Sequence, residues 1–179
     1  MRRSGFLFLA ALFVCVSTRA ADVRLTNPGF EMGDRTGWEW HGEGWDVTNS
    51  PELVKSGGFA VANTIEPGVT NEWRVFIQAI PSAPGQSYTA HLWMTATNAP
   101  GVEYYLELQF LDDNWNVVGQ HQSDHLKGNM PFTLLTIAKA VAPDRTAMVG
   151  IRGAVYVPPV PLPATGYVAM DDFDLLEMP

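Results

Sequence analysis

The sequence predicts an all-β protein built as a two-sheet antiparallel β-sandwich. No segment keeps a helical period in its apolar residues, whereas short runs of alternating apolar and polar residues recur along the chain. The 16 Gly and 13 Pro residues are spread between these runs, in turn-forming stretches such as "SAPGQS", "TNAPG" and "LDDNWN". Many short strands separated by such turns are typical of antiparallel sandwiches.

The alternating runs predict nine strands. In chain order they cover residues 23–26, 45–48, 59–63, 73–80, 88–97, 102–111, 132–141, 147–157 and 167–176. Period-two alternation assigns the core-facing residues of three of these strands as Leu92 and Met94, Leu106 and Leu108, and Val75 and Ile77. The opposite faces mix polar side chains with aromatic ones, which a purely solvated face would not need.

Residues 1–20 have the pattern of a signal peptide. Two arginines precede the apolar run "GFLFLAALFVCV", which is shorter than the roughly 20 residues that a membrane span needs. Small residues place the cleavage near Ala20 or Ala21, although Cys15 leaves a lipoprotein open as the alternative. We therefore predict a single domain over residues 21–179, in a protein that is secreted, periplasmic or at the cell surface.

The charge of the predicted mature chain narrows the class of partner. Without residues 1–20 the chain keeps 8 basic and 19 acidic side chains, a formal net charge of −11. This charge repels phosphate backbones and anionic lipid headgroups, which argues against nucleic acid and membrane surfaces as partners. The single cysteine lies in the predicted signal peptide, so core packing or a bound metal must replace disulfides.

Five segments form an ordered pattern across residues 23–177: "LTNPGFEMGDRTGW", "VKSGGFAVA", "FIQAIPSAPGQSYTAHLWMTA", "FTLLTIAKAVAPDRTAMVGIRG" and "YVAMDDFDLLE". The pattern resembles that of carbohydrate-binding modules of the family four/nine type, which are often attached to cellulases and xylanases. The resemblance implies a galactose-binding-domain-like β-jelly roll that binds poly- or oligosaccharide without catalysis. The sequence departs from the family pattern at Phe132, where the family usually has a Trp.

The resemblance also implies one structural calcium ion. The family's ligands correspond to the carboxylates of Glu31 and Asp171, with backbone carbonyl oxygens plausible at Gly29 and Lys55. Calcium binds about six to eight hard oxygens, which carboxylates and carbonyls supply.

Alternation along the last strand supports Asp171 as the ligand. It predicts that Asp171 shares a face with the apolar Phe173 and Leu175, where a carboxylate is costly unless it is paired or coordinated. The alternative is that Glu31 accepts hydrogen bonds from turn amides and that Asp171 caps the end of a strand.

The predicted outward faces carry the side chains that a sugar site needs. Sugar-binding sites combine aromatic rings, which stack on pyranose faces, with polar groups that hydrogen-bond the hydroxyls. If their strands share one sheet, the following residues form one saccharide-binding cleft: Phe76, Gln78, His91, Trp93, Tyr105, Glu107, Gln109 and Arg152. Trp38 is instead predicted to fill the core.

Two other classes of function stay open. Glycoside hydrolysis needs two carboxyl groups about 5–10 Å apart, and Glu103 and Glu107, four residues apart on one strand, are separated by about 13 Å. Cross-strand pairs leave a polysaccharide lyase or glycoside hydrolase as one alternative. A cell-surface or matrix structural protein that binds no sugar is the other.

A histidine pair, His121 and His125, is predicted to lie in a solvated loop, with a metal site as the alternative. If the chain binds saccharide, a secreted glycoside hydrolase acting in trans is a possible partner.

Overall fold

The computed structural model describes residues 21–22 and 25–179, which form twelve strands. The strands are β1 (Ala21–Asp22), β2 (Glu39–His41), β3 (Trp45–Thr48), β4 (Ala60–Ile65), β5 (Glu72–Pro81), β6 (Ser87–Thr97), β7 (Glu103–Leu111), β8 (Val117–Gln122), β9 (Leu126–Lys127), β10 (Met130–Val141), β11 (Met148–Val157) and β12 (Gly166–Met178). In the described part of the chain, no helix is long and apolar enough to cross a membrane.

The strands form two antiparallel sheets that enclose one main core. Sheet A has the order β10-β6-β12-β4-β3, with β1 paired to β12. Sheet B has the order β2-β5-β11-β7-β8, with β9 paired to β7. This arrangement confirms the predicted antiparallel β-sandwich.

The inner faces of the long central strands follow the predicted alternation except on β5 and, as described below, on β12. Leu92 of β6 and Leu106 of β7 are fully buried in the main core, as predicted. On β5 the predicted faces are wrong: Phe76 is 0% exposed in the core, whereas Val75 packs on the outer face of sheet B. The inward face of this strand carries the buried Arg74 and Gln78 beside Phe76, whereas its outer face is uniformly apolar, so alternation indicated the wrong face.

The segment before β2 packs an aromatic cluster into the sandwich. Trp38 is buried, as predicted, and its ring lies 5.5 Å from that of Phe30 and 4.4 Å from that of Phe173. Phe76 stacks on Trp38 with centroids 5.4 Å apart. Pro28 accepts a hydrogen bond from the Phe173 amide at 3.1 Å. Because Phe173 belongs to β12, these contacts join the N-terminal segment to the last strand.

Four strands, β1, β2, β8 and β9, were not predicted, and one prediction falls partly outside the described residues. Strands β2 and β8 are mostly exposed edge strands and β9 has two residues, so none has a clear apolar alternation. His121 therefore lies in β8 and not in a loop. The predicted strand 23–26 is only partly described, and its described residues, 25–26, are not in a strand. The predicted signal peptide, residues 1–20, lies outside the described residues.

Candidate functional site

The outer face of sheet B contains a groove of about 380 Å³ that crosses all five main strands of the sheet. It is lined by His41, Trp73, Val75, Tyr105, Glu107, Gln120, Gln122 and Arg152. His41 lies on the edge strand β2, and the two glutamines lie on the opposite edge strand, β8. The groove thus runs from one edge of the sheet to the other.

Small residues on the central strand make the groove possible. Ala154 of β11 lies between Val75 and Tyr105 in the strand register, and the three form a small apolar cluster at the floor. Four residues along β11, beyond Arg152, Gly150 also occupies an outer position. A side chain at Gly150 would meet Ile77 at 2.9 Å, so this position is already closely packed.

A buried ion pair forms the polar part of the floor. Nε of Arg152 lies 2.7 Å from Oε1 of Glu107, and the Glu107 side chain is only 2% exposed. The contact lacks the angle of a hydrogen bond, so these two buried atoms meet as an ion pair only. Gln122 donates a hydrogen bond to the other oxygen of Glu107. The two charges cancel, which leaves the floor polar but close to neutral.

The aromatic side chains of the groove differ in how much of each ring is open. Trp73 is 52% exposed and rests against Tyr156, with ring centroids 4.6 Å apart. Tyr105 is buried, and the imidazole of His125 lies parallel to its ring at 3.9 Å. Trp73 therefore offers the larger open aromatic surface.

The Tyr105 hydroxyl keeps its proton at neutral pH. Burial raises the pKa of this hydroxyl above its ordinary value, and the Glu107 carboxylate adds to the rise, whereas Arg152 opposes it. A protonated phenol beside a carboxylate can donate as well as accept a hydrogen bond.

The structure brings three of the eight residues predicted for the cleft into the groove and a fourth beside it. Tyr105, Glu107 and Arg152 line the groove, and Gln109 lies one pleat further on the same face of β7. Phe76 and Gln78 do not belong to it, contrary to the prediction. Phe76 is in the core, and the Gln78 side chain is buried and exchanges hydrogen bonds with the backbone of Thr26.

His91 and Trp93 are also separated from the groove. They point outward on β6, as predicted, but β6 pairs with β10 and β12 in sheet A. His91 contacts the Thr136 hydroxyl at 2.9 Å, and Nζ of Lys55 lies 4.3 Å from the centroid of the Trp93 ring. The prediction of one shared sheet is therefore wrong, because the pairing of distant strands does not follow from alternation within each strand.

Several groove residues were missed at the sequence level. His41, Gln120 and Gln122 lie on edge strands that have no clear alternation. Trp73 was hidden by the inverted assignment of β5, which placed its face in the core. Its position beside a turn rich in polar residues, "EPGVTNE", was the one available signal that it could lie at the surface.

Three acidic side chains lie near Gly29. A β-carbon built at Gly29 would lie 3.5 Å from Oδ1 of Asp172, 3.7 Å from Oδ1 of Asp171 and 3.9 Å from Cγ of Glu31. The fold therefore places Glu31 and Asp171, 140 positions apart by their numbers, in the same small region.

Backbone amides donate to both predicted calcium ligands. The buried Asp171 carboxylate accepts hydrogen bonds from the amides of Lys55 at 2.9 Å and Ser56 at 3.1 Å. Glu31 accepts from the amides of Gly58 and Phe59. Within the described residues, no three His, Cys, Asp or Glu side chains are grouped in a way that could hold a metal by themselves. Burial, the largest cause, raises the pKa of Asp171 to about 6.

A bulge in β12 changes the predicted face of Asp171. The register with β6 shifts between Asp171 and Asp174, and Asp172 has a φ of 52°. Phe173 and Leu175 consequently face the core, whereas Asp171 points outward with Ala169, beneath the segment that follows Leu53. The prediction that Asp171 shares a face with Phe173 and Leu175 is wrong, because one extra residue reverses the alternation.

No protein-family model and no curated protein sequence matches this chain. Among solved structures, a family 61 carbohydrate-binding module in complex with beta-1,4-galactotriose superposes with a TM-score of 0.63. It is 20% identical, and the match covers 86% of this chain and 97% of that one. The C-terminal family 22 module of Clostridium thermocellum Xyn10B matches with a TM-score of 0.60 and 14% identity, over 83% of this chain and 91% of that one.

A cyclase from Fischerella sp. TAU is similar to the same degree. It has a TM-score of 0.60 and 17% identity, and the match covers 90% of this chain and 98% of that one. The chain thus has the β-sandwich fold found in carbohydrate-binding modules of families 61 and 22. Because the cyclase has a similar fold, the assignment of function depends on the side chains of the groove.

Proposed function

We propose that this protein is a non-catalytic carbohydrate-binding module that binds poly- or oligosaccharide in the groove of sheet B. The observation that carries the proposal is the open indole of Trp73 beside a floor of buried polar groups. An aromatic platform next to fixed donors and acceptors is the combination that recognises a pyranose ring and its hydroxyls.

The electrostatics of the floor favour a neutral saccharide. Arg152 is engaged by Glu107, so its charge is compensated before any ligand binds. An anionic sugar would gain little from this pair and would be repelled by the acidic protein as a whole.

The same ion pair favours binding over glycoside hydrolysis. The Glu107 side chain is almost fully buried, and Arg152 and Gln122 contact its two oxygens. A general acid or base must reach the reacting atoms, which this carboxylate could do only after leaving its partners. This observation is our reason for preferring a binding module to a lyase or hydrolase with the same fold.

We further propose that one calcium ion stabilises the contact between the N-terminal segment and β12. Glu31 and Asp171 would hold it, together with the carbonyl oxygens of Gly29 and Lys55. Both side chains lie beside Gly29, and neither carboxylate is paired with a basic side chain among the described residues, which supports this site. A divalent cation there would supply the positive charge that the buried Asp171 lacks.

The family four/nine type remains our proposal for the class of module, on the strength of the five ordered sequence segments. We also propose that the protein acts outside the cytoplasm, secreted, periplasmic or at the cell surface, because residues 1–20 have the pattern of a signal peptide. A secreted glycoside hydrolase acting in trans on the same polysaccharide is the proposed partner.

The substitution Trp73→Ala tests the proposed site. We expect the wild-type protein to be retarded in gels containing a soluble neutral polysaccharide, without release of reducing ends. Removing the indole should weaken binding by roughly 30-fold, about 2 kcal/mol, as for other aromatic contacts at the centre of a site.

The matched control is Trp40→Ala, because Trp40 is also an exposed indole in sheet B but does not line the groove. Equal loss of binding in both variants would contradict the assignment of the groove. New reducing ends produced by the wild-type protein would show catalysis.

A further inference from the structure

The groove residue His41 lies where the chain leaves sheet B. It is the last residue of β2, a three-residue edge strand that pairs only with β5, and the chain crosses to β3 of sheet A directly after it. The indole of Trp45, the first residue of β3, donates a hydrogen bond to the His41 carbonyl at 3.1 Å. So short an edge strand opens easily, so contacts beyond the strand pairing must hold His41 in the groove.

A buried arginine joins the two sheets beside this crossing. Arg74 lies on the inward face of β5 and is 2% exposed. Its Nη1 donates to Oδ1 of Asn63 at 3.0 Å and to the Thr64 carbonyl at 2.8 Å, and its Nη2 donates to Glu72 at 3.0 Å. Because Asn63 and Thr64 belong to β4 of sheet A, the guanidinium connects β5 to the opposite sheet.

The crossing segment, residues 42–44, packs directly against this arginine. A β-carbon built at Gly42 would lie 2.6 Å from Cγ of Arg74, and the φ of Gly42 is 81°, so both the contact and the backbone require glycine. The segment ends at Gly44, whose carbonyl accepts a hydrogen bond from the Thr64 amide at 2.8 Å. The position of the segment is therefore fixed by the same group of contacts that holds the guanidinium.

Fold stability alone does not account for an arginine at this position. Nε of Arg74 is buried without a hydrogen-bond partner in the described part of the chain, and the side chain of its ion-pair partner Glu72 is 35% exposed. Replacing a buried ion pair with apolar residues of similar volume is often neutral or stabilising. What an apolar side chain could not supply is the set of hydrogen bonds that defines the path of the crossing segment.

The crossing leaves His41 close to the open indole of the groove. His41 pairs with Val75 in the strand register, and Trp73 lies two residues before Val75 on the same outer face of β5. Diagonal neighbours of this kind on one sheet face are about 7–8 Å apart. An imidazole can donate or accept a hydrogen bond, so it can reach a hydroxyl of a sugar ring that is stacked on the indole.

We propose that Arg74 is a positioning residue of the saccharide site and that it acts through His41, which hydrogen-bonds the sugar unit stacked on Trp73. This inference rests on the proposed function, since it names how the same groove recognises its sugar. Arg74 itself does not touch the ligand, because its side chain lies on the inward face of the strand that carries Trp73 outward.

The variants His41→Ala and Arg74→Lys test the two parts of the inference. Lysine keeps the charge of Arg74 but lacks the planar fork that serves several acceptors at once. Calorimetry with xylan and β-1,4-galactan should show roughly fivefold weaker affinity in each variant, the loss expected for one hydrogen bond. The double variant should bind no more weakly than His41→Ala alone. A merely structural role of Arg74 would lower the affinity in both backgrounds.

The imidazole NMR signals of the four histidines give a second measurement, which needs no ligand. In Arg74→Lys the signals of His41 should shift, whereas those of His121, on the opposite edge strand β8, should stay unchanged. If Arg74→Lys does not fold, Gly42→Ala replaces it, because the added methyl group forces the crossing segment away from Arg74. It should cause the same shift and the same loss of affinity.

The matched control is Arg35→Lys. Arg35 donates to the Trp45 carbonyl at 2.8 Å and lies over the Trp40 ring, outside the crossing segment. This variant should bind glycan as the wild type does, and a loss equal to that of Arg74→Lys would contradict the inference.

Two further results separate this inference from the proposed function. If His41→Ala binds as tightly as the wild type while Trp73→Ala loses binding, or if Arg74→Lys weakens binding equally when His41 is alanine, the inference fails and the proposed function stands. If the wild type binds neither polysaccharide, both are contradicted.

Discussion

The outer faces of the two sheets carry similar kinds of side chain but present them differently. On sheet B, the small Ala154 of the central strand leaves a groove between Trp73 and the buried pair of Glu107 and Arg152. On sheet A, the outward Trp93 lies on an inner strand, and the Lys55 side chain covers its ring. Side-chain size on the central strand and the position of covering loops thus decide which aromatic ring can meet a ligand.

Removing one member of the buried ion pair should have the largest effect. Arg152→Met leaves the Glu107 carboxylate buried without its cation, which should lower the free energy of unfolding by about 3 kcal/mol. Urea denaturation at neutral pH measures this, and the same variant should bind glycan more weakly because Glu107 is no longer oriented.

Two controls separate burial from charge. Adding Glu107→Leu to Arg152→Met should restore most of the stability, because no unpaired charge remains. Lys127→Met breaks the pair with Glu103, in which Lys127 is 63% exposed, and should cost less than about 1 kcal/mol. If Lys127→Met lowered the free energy of unfolding as much as Arg152→Met, burial would not explain why the two ion pairs differ in their effect on stability.

The Asp171 region of sheet A should respond to pH and calcium. Burial raises the pKa of Asp171 from 3.8 to about 6, so the metal-free folded protein holds this proton more tightly than the unfolded chain. Its contribution to stability is therefore present below about pH 4 and is lost as the pH rises to about 6. Over this pH range the free energy of unfolding of the metal-free protein should fall by about 3 kcal/mol.

Comparison of the wild type with Asp171→Asn in a chelator isolates this contribution, since Asn does not titrate. If calcium binds the ionised carboxylate, its addition should raise the melting temperature of the wild type increasingly with pH, and that of Asp171→Asn much less. If the stability of the two metal-free proteins depended on pH in the same way, the proposed cost of ionising the buried Asp171 would be contradicted. A melting temperature of the wild type that does not change when calcium is added would contradict the proposed calcium site.

The smallest effect is expected for Trp93→Ala on the outer face of sheet A. This change removes the contact with Lys55 and should lower stability by about 0.5–1 kcal/mol. Glycan affinity should equal that of the wild type, because Trp93 and the groove lie on opposite sheets. A loss of affinity similar to that of Trp73→Ala would place a saccharide contact on sheet A.

The alternation of residues predicted most of the long strands and many of their inner faces. Leu92 and Leu106 are buried as predicted because each alternates with polar or amphipathic neighbours. Phe76 was misplaced because it shares the inward face of β5 with Arg74 and Gln78, while the outward face is the apolar one. Asp171 was assigned to the wrong face because a bulge at Asp172, which no local pattern announces, shifts the register of β12.

The sequence by itself determined the class of fold, since its turns and two-residue period are local properties that survive in any arrangement of the strands. It also identified Tyr105, Glu107 and Arg152 as outward polar or aromatic residues. Only the tertiary structure decided that these three meet Trp73 in one groove, while His91 and Trp93 lie on the other sheet. Strand order depends on contacts between distant segments, and the chain carries no local record of which segments will pair.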